Sequence, residues 1–269
     1  MKKWLKIAIW TIFIGGVITL MYYTQKADSE KIMDDPKVDI VIPESDAFLN
    51  KKEIITRLDH AHLFKPGQKV SELEIEKIEE FIQDITQVKT TRVYKQIGGD
   101  WRIDIELRKP IARIFPKNGH SYYLSDDGYR MSTTPVHTAH IVVVTGEIDD
   151  NQKSIPVPEI INNDSLRSIR KLDDIYRISN YVCNDPLFRS LIGQIHLEKN
   201  GDFLLVPLVG DQKIVFGSAY SEEEVSDKFK KLKIFYEEAM PFEGWDKYSE
   251  ISLKYEDQIV CKTAAEVAE

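Results

Sequence analysis

Directly behind Lys2, Lys3 and Lys6 lies an uncharged run, Ile7 to Tyr23 (IAIWTIFIGGVITLMYY), and no other stretch of the chain resembles it. A bilayer crossing takes about 20 mostly apolar residues, with about 17 as the lower bound. Trp4 and Trp10 near one end, with Tyr22 and Tyr23 at the other, suit the two interfacial aromatic belts. The lysines favour the cytoplasmic side, so the expectation is a single-pass, type II anchor in the cell (inner) membrane. Residues 1–6 form the cytoplasmic tail, 7–23 the span, and the bulk lies outside the cytoplasm. A cleaved secretory signal shares the lysines and the apolar core. It also needs small residues around a cut site, where this chain has Met21, Tyr22, Tyr23, Thr24 and Gln25. No cysteine near the run offers a lipoprotein anchor.

Compartment and charge then limit the partners. Of 36 basic residues three precede the apolar run, against 44 acidic ones, so the exported part is acidic. Such a surface repels nucleic acid and anionic lipid and points to proteins or neutral polymers. A 42% hydrophobic and 30% charged composition is that of a globular region. Cys183 and Cys261 leave two readings open: a pair formed in an oxidising compartment, or two buried free thiols, which the reading favours.

After a polar linker, 24–35, the residues alternate and cycle in a recognisable order. Val38, Ile40 and Ile42 read as a strand stopped by Pro43, and Asn50 as the cap of a helix from Lys51 to about Leu58. Ser71 and Glu74 are spaced as a capping box ahead of Ile75, Ile78, Ile82 and Ile85 at helical period, with Glu72, Glu76, Glu79 and Glu80 facing water. Val88 to Tyr94 reads as a strand. Beyond a turn at Gly98-Gly99, Trp101, Ile103, Ile105 and Leu107 alternate with Arg102, Asp104, Glu106 and Arg108 as a half-buried strand. The first module is therefore β-α-α-β-β over 36–109.

From Pro110 onward short strands are predicted at 111–115, 120–125, 129–132 and 141–145, with a hairpin turn at Asp127-Gly128. Pro156 and Pro158 break the chain, and Asp164 is placed to cap a helix from Ser165 towards Cys183. Strands 192–198, 203–208 and 213–216 follow, joined by turns at Asn200-Gly201 and Gly210-Asp211. Ser221 and Glu224 mark a second capping box, with Glu224–Lys228 and Asp227–Lys231 pairs on the exposed face of its helix. Ile251, Leu253 and Tyr255 alternate before Ile259-Val260-Cys261, and residues 263–269 form a tail. The fold class is α+β: a transmembrane helix, the first module, then a larger mainly antiparallel β domain over 110–262 with flanking helices.

Catalytic patterns do not stand out. The chain has no G-x-S-x-G elbow, no H-E-x-x-H and no Walker loop. His60-x-His62 and His137-x-x-His140 lack a third ligand nearby in sequence, so neither metal nor cofactor is expected. Asp126-Asp127 is better explained by turn chemistry than by acid catalysis. Asn163-Asp164-Ser165 fits a glycosylation sequon but reads more simply as a helix cap.

In this order the modules resemble the bacterial cell-division family FtsQ/DivIB: short tail, one span, a β-α-α-β-β module called POTRA, and a C-terminal β domain. Local residues carry the resemblance. Glu106-Leu107-Arg108-Lys109-Pro110-Ile111-Ala112 is similar to the joining stretch, and Leu124-Ser125-Asp126-Asp127-Gly128 to the L-x-D-x-G hairpin. Ile141 to Gly146, the paired strands Phe203–Leu208 and Ile214–Gly217, and Leu253-Lys254-Tyr255 match the remaining motifs. Lys254 stands where the family usually has Arg, which keeps charge but loses the bidentate fork. Only Met1 to Lys6 precede the span, where members usually carry a longer extension.

The resemblance implies a non-catalytic scaffold of the division machinery, linking early and late components for septal wall synthesis. Its last strand would offer a sheet edge to FtsB/FtsL-like coiled-coil partners. Lys254 would meet a partner carboxylate and Tyr255 would supply aromatic area. Ile259 and Val260 follow by position, and Trp245 and Tyr248 would rim the site. The POTRA module would face other division and wall-synthesis membrane proteins. A rival reading is a POTRA-bearing periplasmic chaperone or receptor for unfolded exported polypeptides, although such proteins usually carry several copies and a barrel.

Overall fold

The computed structural model describes residues 2–32, 34–96, 100–135, 137–149, 157–161 and 171–264. The turn expected at Gly98-Gly99, Pro156 and the Asp164 cap lie outside the described residues. Contacts divide the chain into two units, residues 1–42 with 49–107, and residues 43–48 with 108–269. Residues 43–48 thus pack with the second unit, although in sequence they fall inside the first module.

Helix α1 (Lys2–Ser29) carries the apolar run and continues through the first part of the expected linker. Its stretch Ile7–Lys26 has 20 residues at mean hydropathy 1.7, long and apolar enough to cross a bilayer. The hydroxyls of Thr11, Thr19 and Thr24 each donate to a carbonyl three or four residues back. Polar atoms inside the apolar helix are thereby satisfied without water.

In the first unit β1 (Lys37–Val41), α2 (Lys51–His60), α3 (Ile75–Gln83), β2 (Val88–Lys95) and β3 (Trp101–Leu107) follow the expected order. The sheet runs β1-β3-β2, with β1 parallel and β2 antiparallel to the central strand. Trp101, Ile103, Ile105 and Leu107 face inward and share a core with Ile54 and Leu58 of α2 and Ile78 and Ile82 of α3. Asn50 caps α2 as expected, its Oδ1 accepting from the Glu53 amide at 2.9 Å.

The Ser71–Glu74 box does not form. A 3₁₀ turn, Val70–Glu72, absorbs Ser71, and Leu73 is extended, so α3 begins beyond Glu74 with no side-chain cap. Glu72 instead accepts from the Lys69 amide at 3.3 Å. Glu79, expected to face water, accepts from the Val93 amide at 2.8 Å, and the Gln83 carbonyl from the Thr91 amide at 3.2 Å. Side chains of α3 therefore occupy donors along the outer side of β2, one way of blunting an exposed strand.

The second unit is built on one nine-stranded sheet. Its strands are β4 (Pro110–Ile114), β5 (Tyr122–Ser125), β6 (Arg130–Ser132), β7 (Val142–Gly146), β8 (Ile192–Leu197), β9 (Phe203–Pro207), β10 (Lys213–Gly217), β11 (Tyr248–Ser252) and β12 (Val260–Thr263). They lie in the order β12-β11-β10-β9-β8-β7-β4-β5-β6. The neighbours β4/β7, β7/β8 and β10/β11 are parallel and the rest antiparallel, so the sheet is mixed. Parallel neighbours require crossovers, which helices supply for β7/β8 and β10/β11, whereas β5 and β6 lie between β4 and β7. After the short α4 (Val157–Ile161), α5 (Leu172–Asn184) and α6 (Pro186–Leu191) precede β8. Between β10 and β11, α7 (Glu222–Ile234) continues through a π turn, Phe235–Ala239, into α8 (Met240–Glu243).

These helices cover one face. Ile175, Ile178, Phe188, Phe229 and Leu232 share a single core with Ile114, Val144, Ile195, Leu205, Ile214 and Ile251. Phe229 stacks on Tyr181, ring centroids 4.5 Å apart. The first described residue of α5 is Leu172, preceded by Lys171 in left-handed conformation, φ 55°. Helix α6 was not anticipated, yet Asp185-Pro186 is an N-cap followed by proline at the first helical position. Under α5, Arg177 binds Asp173 and Asp174 at 2.8 Å each and donates to the Ala219 carbonyl at 2.7 Å, all three side chains buried. Burial, then the neighbouring Asp173 charge, push the Asp174 carboxyl above its usual pKa.

Residues 43–48 cross the opposite end of the sheet. Phe48 is fully buried against Tyr123, Met131 and Ala139, its ring 5.1 Å from that of Tyr123. Asp46 meets His137 at 2.7 Å, and Glu44 binds Lys109 and Arg189 at 2.7 Å each. The Lys109 ammonium is the main reason the Glu44 carboxyl sits below its ordinary pKa.

Candidate docking edge of the C-terminal sheet

The last strand is a terminal strand of its sheet. β12 pairs antiparallel with β11, Ile251 opposite Cys261 and Ser252 opposite Val260, and no described strand lies on its other side. Side chains alternate along it. Ile259 and Cys261 pack partly against the core, whereas Val260 and Lys262 are exposed, Lys262 at 2.8 Å from Glu250 on β11. Burial raises the Cys261 thiol pKa, and both Cys183 and Cys261 are free thiols.

On the sheet face away from the helices a row of paired residues leads to this edge. Thr145, His196, Leu204, Val215, Ser252 and Val260 stand opposite one another strand by strand. Thr145 and the His196 ring are 2.9 Å apart.

Lys254 and Tyr255 do not lie in the edge strand; they open the turn between β11 and β12. Leu253, fully buried, continues the ladder by donating to the Val215 carbonyl at 2.8 Å. Lys254 then lays its stem across Gly217 and binds Asp202 of the β8–β9 turn at 2.7 Å. That hydrogen bond raises the Lys254 pKa. The carboxylate expected from a partner is thus supplied by the chain itself.

Gly217 is required for this close approach. It has φ +77°, and a Cβ there would sit 2.9 Å from Lys254 Cγ. Tyr255 is half exposed, and Lys231 of α7 donates to the carbonyls of Tyr255 and Glu256 at 2.7 Å each. The expected Asp227–Lys231 pair is accordingly replaced by Asp227–Lys230 at 3.0 Å.

Trp245 and Tyr248 lie at the other end of the edge. Tyr248 stands opposite Thr263 and packs on Phe235, centroids 5.7 Å apart, while Trp245 packs on Tyr236 at the same separation. Trp245 remains 42% exposed, and Phe242, in α8 three residues before it, is 88% exposed. The six residues singled out in the sequence therefore fall into three groups: turn, edge strand and aromatic end. Lys231 and Phe242 were missed. Helical periodicity had assigned Lys231 to Asp227, and Phe242 lies beyond the predicted helix pattern.

Asp127 accepts from the Ser125 hydroxyl at 2.5 Å within the turn and pairs with Arg108, which lies 4.0 Å over the Tyr129 ring. Among the described residues no three His, Cys, Asp or Glu side chains converge as a metal site.

A three-stranded β-α-α-β-β module followed by a helix-backed mixed sheet defines the class as a POTRA-bearing α+β protein. Residues 36–106 match the POTRA-like domain, and residues 109–262, more than half of the chain, match the family described as FtsQ/DivIB, C-terminal related. The chain belongs to that FtsQ/DivIB family. No curated protein is similar enough in sequence to be matched with it.

Proposed function

We propose that this protein is a single-pass, type II membrane scaffold of the division machinery that recruits a partner by adding the partner's strand to β12. The observation that carries the reading is topological: among the described residues β12 ends the sheet, has β11 as its one neighbour, and pairs at its far end with Tyr248. Backbone pairing along such an edge supplies affinity, and pockets for alternate side chains supply specificity. Val260, Ile259, Tyr255, Trp245 and Tyr248 are the contacts proposed, with Lys254 shaping the turn. FtsB/FtsL-like coiled-coil proteins are the partners the family suggests. The POTRA module is the second proposed docking face, towards other division and wall-synthesis membrane proteins. Helix α1 is the proposed anchor in the cell membrane, its lysines on the cytoplasmic side. A scaffold of this kind needs no catalysis.

The test is truncation after Leu253 in the full-length protein, with Val260→Asp as a variant that keeps the strand. Both are expected to abolish co-purification with the cell's own FtsB-like protein. Undiminished binding by both would remove the edge from the reading. Depletion in cells separates the rival: filaments without septa support division, whereas a leaky envelope with unassembled outer-membrane proteins supports the chaperone.

A further inference from the structure

The β11–β12 turn is a poor candidate for self-organisation. Between Leu253, buried, and Ile259, partly buried, residues 254–258 are all exposed and place no apolar side chain in the core. Such a turn ordinarily samples many conformations, and the strand after it inherits that freedom. Two contacts from other elements oppose this. Lys254 is pinned over Gly217 and to Asp202, and Lys231 reaches from α7 to two consecutive carbonyls, Tyr255 and Glu256. Asp227 stands one helical turn before Lys231 and is the acid that helix geometry would pair with it. It binds Lys230 instead, which leaves the Lys231 ammonium on the turn.

We propose that Lys231 is a positioning residue for partner docking: by holding the Tyr255 and Glu256 carbonyls it fixes the path of the chain into β12, so that the edge is presented in its docking conformation before any partner arrives. The inference rests on the edge-strand reading and adds to it a residue outside the edge. Ordering a segment in advance removes that cost from association. Lysine suits the task because three rotatable donors on one charged centre can serve two carbonyls whose directions differ.

The experiment uses the full chain in detergent micelles, with hydrogen exchange read on peptides spanning 255–264 and binding read against the exported segment of the cell's own FtsB-like protein. Lys231→Met is expected to speed exchange in this hairpin about tenfold or more while leaving β7–β9 unchanged, and to weaken binding about tenfold. Lys231→Arg, which keeps the donors, is expected to restore both, and Lys230→Met to change neither. Unchanged exchange in Lys231→Met overturns the proposal, and so does faster exchange with undiminished affinity. Failure of the edge reading looks different: there Val260→Asp retains full affinity whatever Lys231 does.

Discussion

Two glycines with positive φ end strands of the second unit, and they differ in what surrounds them. A Cβ on Gly217 would press on the flexible stem of Lys254, whereas a Cβ on Gly146, φ +109°, would lie 2.1 Å from the Leu197 carbonyl oxygen. A side chain moves aside and a paired backbone does not. Gly217→Ala is therefore expected to cost about 1–2 kcal/mol, mostly for the left-handed backbone, and Gly146→Ala roughly 3 kcal/mol or more, in urea denaturation. Equal costs would contradict the packing described for Gly146. Arg177 belongs to the same level of detail. Removing it leaves Asp173 buried without its counter-ion and Asp174 with only Lys171, at 3.2 Å, so Arg177→Ala is expected to destabilise by roughly 3–5 kcal/mol. Nothing in the sequence marked this cluster, because Asp173, Asp174 and Arg177 at helical spacing look like any solvated face.

Helix α7 shows how a terminus is built and when it weakens. Ser221 accepts from the Glu224 amide at 3.1 Å, as the capping box predicts, but Glu224 reaches Tyr220 N–H at 2.9 Å rather than the Ser221 amide. It also takes Ser218 Oγ at 2.5 Å and Lys228 at 2.6 Å. Burial alone would raise the Glu224 carboxyl, yet these donors hold it below its ordinary 4.5. A carboxyl whose folded pKa is depressed stabilises the fold above its unfolded value and loses that contribution as pH falls through the folded one. The stability gap between wild type and Glu224→Gln should therefore be widest near neutral pH, begin to narrow as pH falls past the ordinary 4.5, and close only beneath the depressed folded value, measured as urea midpoints across pH. Ser221→Ala is expected to cost about 1 kcal/mol at every pH in that range.

Helix caps were legible in the sequence where the capping residue and the first helical turn coincide. Asn50 and Ser221 sit directly before their helices, so the local signal and the fold agree. Ser71 failed because Val70–Glu72 close a 3₁₀ turn that the S-x-x-E spacing cannot distinguish from a first α-turn. Alternation located β3, whose Trp101, Ile103, Ile105 and Leu107 are buried. Alternation or short apolar runs located the other described strands, with β11 ending at Ser252 short of Leu253 and Tyr255, but neither signal tells direction. The parallel neighbours β7/β8 and β10/β11 depend on which way the helical crossovers run. That the last strand ends the sheet was anticipated from its position; the contacts of the turn before it were not, because Lys231 and Asp202 are remote from Lys254 in sequence.

The two units are contiguous in sequence except for six residues, 43–48, which leave the first unit and pack with the second. Phe48 is fully buried there, Asp46 is hydrogen-bonded to His137, and Glu44 carries ion pairs to Lys109 and Arg189. Phe48→Ala in the intact chain is expected to destabilise the second unit by roughly 3–5 kcal/mol, read by protease susceptibility of β4–β6 in denaturant. A fragment beginning at Lys109 should show comparable loss, restored on adding a peptide of residues 43–48 in excess. An unaffected fragment would mean that the segment is dispensable. The units part between Leu107 and Arg108, close to the boundary that the sequence suggests before Pro110, and residues 43–48 are the piece that falls on the other side of it. Grafting this POTRA module onto a relative, or exchanging it for another, would carry off a piece of the neighbouring sheet's wall, so the pair is expected to be inherited and expressed together.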